Sequence, residues 1–185
     1  AGVHSLNAGA GFIYDRFNEE LYETRMERTE KVPGIFAEYT LKPNENFTLM
    51  TGVRSDFHNV FGTFVTPRMH MRYRFSDHFT FRMNAGKGYR TANVVSENTY
   101  LLANARPIIW NDDVFQEEAW NFGFSLIQDY QLLGRDLQIN AEYFYTDFQT
   151  QLVVDRETSA AGIVLSPLDG KSYAGSLQFD VKWQP

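Results

Sequence analysis

The sequence predicts an all-β fold of about eight antiparallel strands. Polar and apolar residues alternate along most of the chain, which gives each segment one apolar and one polar face. Aromatic residues make up 16% of the chain, with 16 Phe and 10 Tyr, and this content favours a β-protein whose strands end at two wet interfaces. These observations predict two-faced strands rather than the fully buried strands of a parallel sheet.

The predicted strands follow one another along the chain with a period of two. Their apolar faces take every second residue of Leu6–Tyr14, Ile35–Leu41, Phe47–Phe57, Met69–Phe75, Phe79–Ala85, Trp120–Leu126, Leu137–Tyr145 and Leu177–Trp183. Polar residues fill the positions between, as where Arg68, His70 and Arg72 flank Met69 and Met71. Because the two sets keep to opposite faces, each segment is predicted to separate two different environments.

The predicted connections differ in length between the two ends of the strands. The short connections are 42–46, 76–78 and roughly 128–136. The long connections are roughly 15–31, 56–64, 90–117 and 153–171. Outer-membrane barrels have short periplasmic turns and long extracellular loops. The sequence therefore predicts an antiparallel up-and-down transmembrane β-barrel segment, with both chain ends on the periplasmic side.

Charge and cysteine content narrow the class of protein. Lys and Arg number 17 against 23 Asp and Glu, and the net charge of −6 argues against a nucleic-acid partner. The chain has no Cys, which excludes a disulfide framework, a thiolate metal site and a thiol nucleophile, and suits an oxidising compartment. No apolar run approaches the roughly 20 residues of a membrane helix, whereas a barrel strand needs only about 9–11.

Aromatic residues are expected to form two girdles at the membrane interfaces. The residues near the long-loop ends of their strands are Tyr14, Phe57, Tyr89, Trp120 and Tyr145. The residues near the short-turn ends are Phe47, Phe75, Phe79 and Trp183. Aromatic residues are also common in strands of every kind, so the loop asymmetry is what favours the girdles.

An arginine stripe occupies the predicted polar face. Its members are Arg54, Arg68, Arg72, Arg74, Arg82 and Arg90. On a lipid face each Arg near the midplane would cost roughly 2–4 kcal/mol, so this face is expected to meet water or polar protein. We expect the first five to face the lumen or a plug, where Glu38, Asp56 and Glu142 are possible ion-pair partners. A hydrated barrel wall with routine ion pairs is the alternative.

Five pieces of the sequence carry a family resemblance. They are GVRSD at 52–56, the FG…TPR run at 61–68, GKGYRTAN at 86–93, EEAWNFGFSL at 117–126 and AEYFYTDFQTQLV at 141–153. In this order and spacing they resemble the barrel of TonB-dependent outer-membrane receptors, most closely those of Bacteroidetes-type bacteria. The similarity covers most of the chain and is weaker over 1–31 and in the loops.

The resemblance implies an active-transport receptor of the bacterial cell outer membrane. Such receptors import scarce solutes such as iron chelates, haem, cobalamin or glycans with energy from the TonB complex. Residues 1–185 would then be part of the barrel domain, about eight strands of a larger barrel, with the plug domain absent. The implied partners are outer-membrane lipid, the plug domain, the TonB complex and a possible surface lipoprotein. The isolated piece would expose sheet edges that favour self-association.

The connection from Thr91 to Gln116 is the candidate ligand-binding loop. Its length and its Arg, Trp and Asn content fit solute recognition, because loops on rigid scaffolds often carry binding residues. The candidate ligand-binding residues are Arg90, Asn93, Asn98, Arg106 and Trp110. An ordinary surface loop is the equally weighted alternative. No catalytic, metal or cofactor site is predicted, because no serine-hydrolase or HExxH pattern occurs.

Two other functions stay open at this point. The chain could be a self-contained small outer-membrane barrel that acts as an adhesin or structural protein, which requires about eight strands to close on themselves. It could also be a soluble lipid-binding β-barrel, which requires the arginine stripe to face outward to water.

Overall fold

The computed structural model describes residues 2–21, 24–93, 97–103, 106–110, 116–157, 159 and 161–183. The strands in chain order are β1 His4–Leu21, β2 Thr24–Leu41, β3 Phe47–His58, β4 Gly62–Ser76, β5 Phe79–Thr91, β6 Ile108–Trp110, β7 Gln116–Leu132, β8 Arg135–Thr150, β9 Leu152–Asp155, β10 Ile163–Pro167 and β11 Ser172–Trp183. A short 3-10 helix spans Thr99–Ala103. Within the described ranges, no helix has the length and apolar character needed to cross a membrane.

Eight of the strands form one antiparallel sheet. Its order is β1-β2-β3-β4-β5-β7-β8-β11, so neighbouring strands are also consecutive in the main sheet. This confirms the predicted number of strands and the up-and-down topology. In the described part of the chain β1 and β11 are the two edges and do not pair with each other. The sheet is therefore open, which does not support the hypothesis of a self-contained closed barrel.

The strand register confirms the predicted division into two faces. Gly52 on β3 lies opposite Arg68 on β4, and Arg68 lies opposite Gly86 on β5. Directly opposed residues share one face of a sheet, so this row belongs to a single polar face. One residue along, Val53 pairs with Pro67, and Met69 pairs with Ala85 on the apolar face. The period of two is therefore kept across neighbouring strands.

The apolar face is largely uncovered by the protein itself. Leu6 is 74% exposed, Phe12 is 64% exposed and Phe179 is 67% exposed. Only a few apolar side chains of the described residues are fully buried, and half of those lie in the loop region rather than in the large sheet. An uncovered apolar surface of this extent marks a face that meets lipid or another protein.

Three of the predicted connections are shorter than the sequence indicates. The segment 15–31 is not a loop, because β1 and β2 remain paired up to Leu21 and Thr24. The connection at 56–64 contracts to a turn at 59–61, and the one at 128–136 contracts to Leu133 and Gly134. These two residues have φ of 54° and 73°, the left-handed conformations of a two-residue type I′ hairpin turn.

The remaining two long connections pack together into a second, three-stranded sheet of order β6-β10-β9. The predicted loop 90–117 supplies the 3-10 helix and β6, and the predicted loop 153–171 supplies β10. Leu101, Ile163 and Leu165 form the buried core of this unit. These connections are therefore structured, and they lie at the end of the large sheet opposite the turns at 77–78 and 133–134.

Glycines on the polar face make room for long side chains that lie along the sheet. Phe36 lies directly over Gly9, where an added methyl carbon would be only 2.7 Å from its ring. The Phe144 ring lies over Gly123 in the same way, at 2.8 Å. A larger residue would force the ring to shift at either position, and at Gly123 it would also meet Asn84 Nδ2 at 2.6 Å. The Phe36 and Phe144 rings consequently lie close to the sheet.

Candidate functional site

A buried polar cluster lies on the polar face at the end of the sheet where the long connections emerge. We call it the loop-side cluster, and its members are Arg28, Glu30, His58, Thr91 and Gln116. They come from four separate strands: Arg28 and Glu30 from β2, His58 from the end of β3, Thr91 from the end of β5 and Gln116 from the start of β7. The cluster therefore ties together strands that are far apart in the sequence.

Glu30 is the centre of the loop-side cluster. The residue is 5% exposed, and its Oε1 lies 2.6 Å from Arg28 Nε. Its Oε2 lies 3.2 Å from His58 Nε2 and accepts a hydrogen bond from the Thr91 hydroxyl at 3.4 Å. Gln116 Nε2 in turn donates to Thr91 Oγ1 at 2.7 Å. A buried carboxylate is tolerated here because the Arg28 guanidinium and the Thr91 hydroxyl lie beside it.

The turn between β3 and β4 positions the cluster. Asn59 Nδ2 donates to the Thr29 carbonyl at 3.1 Å, and Asn59 Oδ1 accepts from the Lys31 amide at 2.7 Å. The side-chain amide thus continues the backbone pairing of β2 beyond the end of β3. His58 Nδ1 accepts from the Val60 amide at 3.1 Å, which leaves Nε2 directed at Glu30. Sequence reasoning placed both residues in a loop and missed these roles.

A second group of residues on the polar face contains Tyr89, which was predicted to lie in an aromatic girdle. That prediction is wrong. The Tyr89 ring stacks on Phe64 with centroids 4.2 Å apart, and its hydroxyl bonds to the Asp56 carboxylate. Phe64 and Asp56 are directly opposed in the β3–β4 ladder and share the polar face with Arg54. Alternation from Arg82 and Asn84 would place Tyr89 on the apolar face. The β4–β5 ladder ends at Gly86, and Tyr89 lies on the polar face, so the alternation is broken within the Gly86–Gly88 segment.

Five of the other predicted girdle residues take part in ring contacts near the ends of the apolar face, and their place at a membrane interface stays a prediction: Phe47, Phe75, Phe79, Trp120 and Tyr145. At the short-turn end Phe47, Tyr73, Phe75 and Phe79 form a continuous row of ring contacts with centroid distances of 4.6 to 6.2 Å. At the opposite end Trp120 stacks on Phe122 and Tyr145 stacks on Tyr173. The apolar face is therefore bounded by aromatic side chains at both ends, as interfacial girdles require.

The structure brings two of the candidate ligand-binding residues together. Arg90 donates two hydrogen bonds to Glu97 at 2.9 and 3.0 Å and one to Glu117 at 2.6 Å. Asn93 contacts the same Glu97 through its amide and accepts a 3.0 Å hydrogen bond from Arg28. Asn93 thus joins the start of the 91–116 connection to Arg28 of the loop-side cluster, and Arg90 joins it to Glu117 on β7. Their role in ligand binding stays a prediction.

The other three candidates lie elsewhere in the loop region. Asn98 precedes the 3-10 helix and accepts the Leu101 amide at 2.9 Å through its backbone carbonyl. Trp110 pairs with Leu165 through the backbone of β6, and its side chain lies outside the described residues. Arg106 donates to the carbonyls of Arg156, Ser159 and Gly162 at 2.7, 2.8 and 3.0 Å.

The Arg106 contacts predict a structural role in the second sheet. Arg106→Ala is expected to accelerate backbone hydrogen exchange over 152–167, because each charge-assisted hydrogen bond is worth roughly 1.5–3 kcal/mol. Arg156→Ala is the matched control, since its guanidinium only lies over the Tyr100 ring at 5.2 Å. Equal exchange in the two variants would show that Arg106 does not hold the sheet and would return it to the ligand-binding candidates.

The predicted arginine stripe divides into paired and unpaired members. Arg54 contacts Asp56 at 2.6 Å, and Arg68 contacts Glu38 at 2.5 Å, as expected for two of the proposed partners. Lys87, which the sequence did not single out, pairs with Glu118. Glu142 forms no ion pair among the described residues. Arg74 donates two hydrogen bonds to Asn46 Oδ1 at 3.0 and 3.1 Å and reaches Glu45 at 4.0 Å. Arg72 and Arg82 have no carboxylate partner in the described part of the chain.

A cavity of about 340 Å³ opens on the polar face between these cations. Phe36, Arg54, Thr66, Arg68 and Lys87 line it. Each of its three cationic groups is already matched by a carboxylate, so the cavity presents a polar, nearly neutral surface. Such a wall can hold water and hydrogen-bonding solutes, and it carries no arrangement for covalent chemistry.

The open antiparallel sheet has an uncovered apolar face with aromatic rows at both ends, and its polar face is rich in arginine. This combination defines the wall of an outer-membrane β-barrel. The family model described as "TonB dependent receptor-like, beta-barrel" matches residues 3–174. The chain belongs to this family. Its barrels lie in the bacterial outer membrane and serve transport rather than catalysis. No curated protein matches the chain.

Solved structures support the same fold. The siderophore receptor PirA from Pseudomonas aeruginosa aligns with a TM-score of 0.69 and 15% identity over 96% of this chain and 35% of the receptor. PirA from Acinetobacter baumannii gives a TM-score of 0.71 and 13% identity over 96% and 31%. The FrpB iron transporter from Neisseria meningitidis gives 0.55 and 16% over 84% and 23%. The chain spans about a third of the PirA receptors and a smaller share of FrpB.

Proposed function

We propose that residues 1–185 are part of the barrel domain of an outer-membrane receptor that imports an iron chelate with TonB energy. The observation that carries the proposal is the family match over 3–174, together with the eight-stranded wall common to the siderophore receptors. Since the chain covers about a third of the two PirA receptors, solute binding and import belong to the complete protein.

The proposal includes the partners that the family implies. Lipid covers the apolar face, where side chains such as Leu6 and Phe179 are mostly exposed. A plug domain, encoded elsewhere in the same longer protein, fills the space beside the polar face and connects the receptor to the TonB complex. Docking of a surface lipoprotein, self-association of the isolated piece and a Bacteroidetes-type origin stay predictions.

An iron chelate is favoured over haem, cobalamin or a glycan. The names of the three similar proteins describe two of them as siderophore receptors and one as an iron transporter. The polar face adds chemical support, because several cations and hydrogen-bonding side chains line it beside few buried apolar groups. An oxygen-rich, hydrogen-bonding solute suits this surface better than an apolar solute does.

The complete receptor provides the test. It is expressed in an iron-uptake-deficient host with and without a functional TonB complex, and uptake of radioactive iron is measured for one ferric catecholate and one ferric hydroxamate. We expect uptake of at least one chelate, and only in the host with TonB. Haem and cobalamin serve as competing solutes. Binding of either of these without binding of a ferric chelate would contradict the proposed solute class, and uptake without TonB would contradict the mechanism.

A further inference from the structure

The cations of the polar face differ along the strands in whether they contact a carboxylate. Towards the loop end, Arg28, Arg54, Arg68 and Lys87 each contact a carboxylate. Towards the short-turn end, three arginines differ from these. We call Arg72, Arg74 and Arg82 the turn-side arginines. Only Arg74 approaches a carboxylate, at 4.0 Å, and that Glu45 side chain is 92% exposed.

Two of the turn-side arginines oppose each other directly. Arg72 on β4 is the register partner of Arg82 on β5, so their side chains leave the sheet side by side on the same face. Like charges at directly opposed positions destabilise a sheet. The guanidinium of Arg72 has only a 3.1 Å hydrogen bond to the Glu45 carbonyl, and Arg82 has no side-chain partner within the described ranges.

No neighbour on the sheet compensates this pair. Thr48 lies opposite Arg72 on β3, and Ser125 lies opposite Arg82 on β7. The next carboxylate in the row is Glu142, opposite Ser125 on β8 and therefore two strands, or about 10 Å, from Arg82. The charge of the pair has to be balanced from outside the sheet.

We propose that the turn-side arginines dock an acidic segment of the domain that fills the barrel, a part of the same protein outside residues 1–185. The proposal rests on the proposed function, which supplies that domain. The two PirA receptors are about three times as long as this chain, and a protein of that length would have residues to supply the segment. One carboxylate between Arg72 and Arg82 would form two charge-assisted hydrogen bonds and remove the repulsion.

Hydrogen–deuterium exchange of the complete receptor tests the proposal. Arg72→Gln/Arg82→Gln is compared with Arg72→Lys/Arg82→Lys, which keeps both charges. A second control is Lys42→Gln/Arg135→Gln, which removes two exposed cations outside this row. In the Gln pair only, we expect one carboxylate-bearing segment outside the barrel to exchange about tenfold faster than in the wild type. This change corresponds to the loss of a charge-assisted hydrogen bond. Heat-modifiable gel mobility establishes that each barrel has folded.

Three results would overturn the proposal. Unchanged exchange outside the barrel in a folded Gln pair would show that nothing acidic docks there. A loss of chelate binding with unchanged exchange would assign the arginines to the solute instead. Equal acceleration in the Lys42→Gln/Arg135→Gln control would show a general charge effect. A wild-type receptor that binds no ferric chelate would contradict the proposed function alone, because the exchange comparison requires no solute.

Discussion

Glu30→Gln in the complete receptor is expected to lower the free energy of local opening at the loop end of the sheet by about 3–5 kcal/mol. The substitution keeps the size of the side chain and removes its charge. Arg28 and His58 would then lie in a buried site without the carboxylate that both contact. Leaving a buried cation without its partner is among the most destabilising changes a point mutation can make. Hydrogen exchange over 27–32, 57–61 and 90–93 measures the effect.

Glu20→Gln is the matched control for this prediction. Glu20 lies on β1 in the same long hairpin, and it is exposed. Its substitution is expected to change exchange by no more than a surface charge does, which corresponds to about 0–1 kcal/mol. If Glu30→Gln behaved like Glu20→Gln, the contacts of Glu30 would not hold the β1–β2 hairpin to the end of β5, and the loop-side cluster would not act as a unit.

Phe124→Arg is expected to lower the free energy of unfolding from lipid by roughly 2–4 kcal/mol, which is the cost of an Arg near the middle of a barrel's lipid face. Phe124 lies on the apolar face of β7, opposite Met83 on β5 and Tyr143 on β8. Its ring also stacks with Phe81 at a centroid distance of 6.4 Å. Urea titration of the receptor folded into vesicles measures the change.

Asn121→Arg separates the lipid effect from a general effect of adding a cation. Asn121 is three residues away on the same strand, lies on the polar face and bonds to Thr146 at 2.8 Å. Its replacement removes one ordinary hydrogen bond, worth about 1 kcal/mol. Equal costs for the two variants would mean that lipid does not cover the apolar face, and the assignment of the two faces would have to be reversed or abandoned.

The sheet was predictable because its strands obey one local rule. Alternation placed Arg54, Arg68, Arg72 and Arg82 on one face, and the ladder confirms that they share it. The long β1–β2 hairpin was missed because the residues over 15–31 are polar on both faces, as strands become once they rise beyond the lipid. A polar, charged stretch of this kind resembles a loop in sequence even when its backbone stays paired.

The site was less predictable because its contacts join distant segments. Glu30 and Thr91 are 61 residues apart, and no local pattern relates them. Tyr89 was assigned to the wrong face because alternation was extended through Gly86-Lys87-Gly88, where glycines permit the strand to change phase. Arg106 was a reasonable choice by residue type, yet its guanidinium is used by three carbonyls of its own loop region.

Gly9 and Gly123 affect how far the Phe36 and Phe144 rings project from the polar face. Each ring lies close to the sheet because the glycine beneath it has no side chain in the way. A bulkier residue beneath either ring would displace it from the sheet and reduce the free space beside the polar face. Two residues that have no side chain can thereby influence this space without contacting a solute.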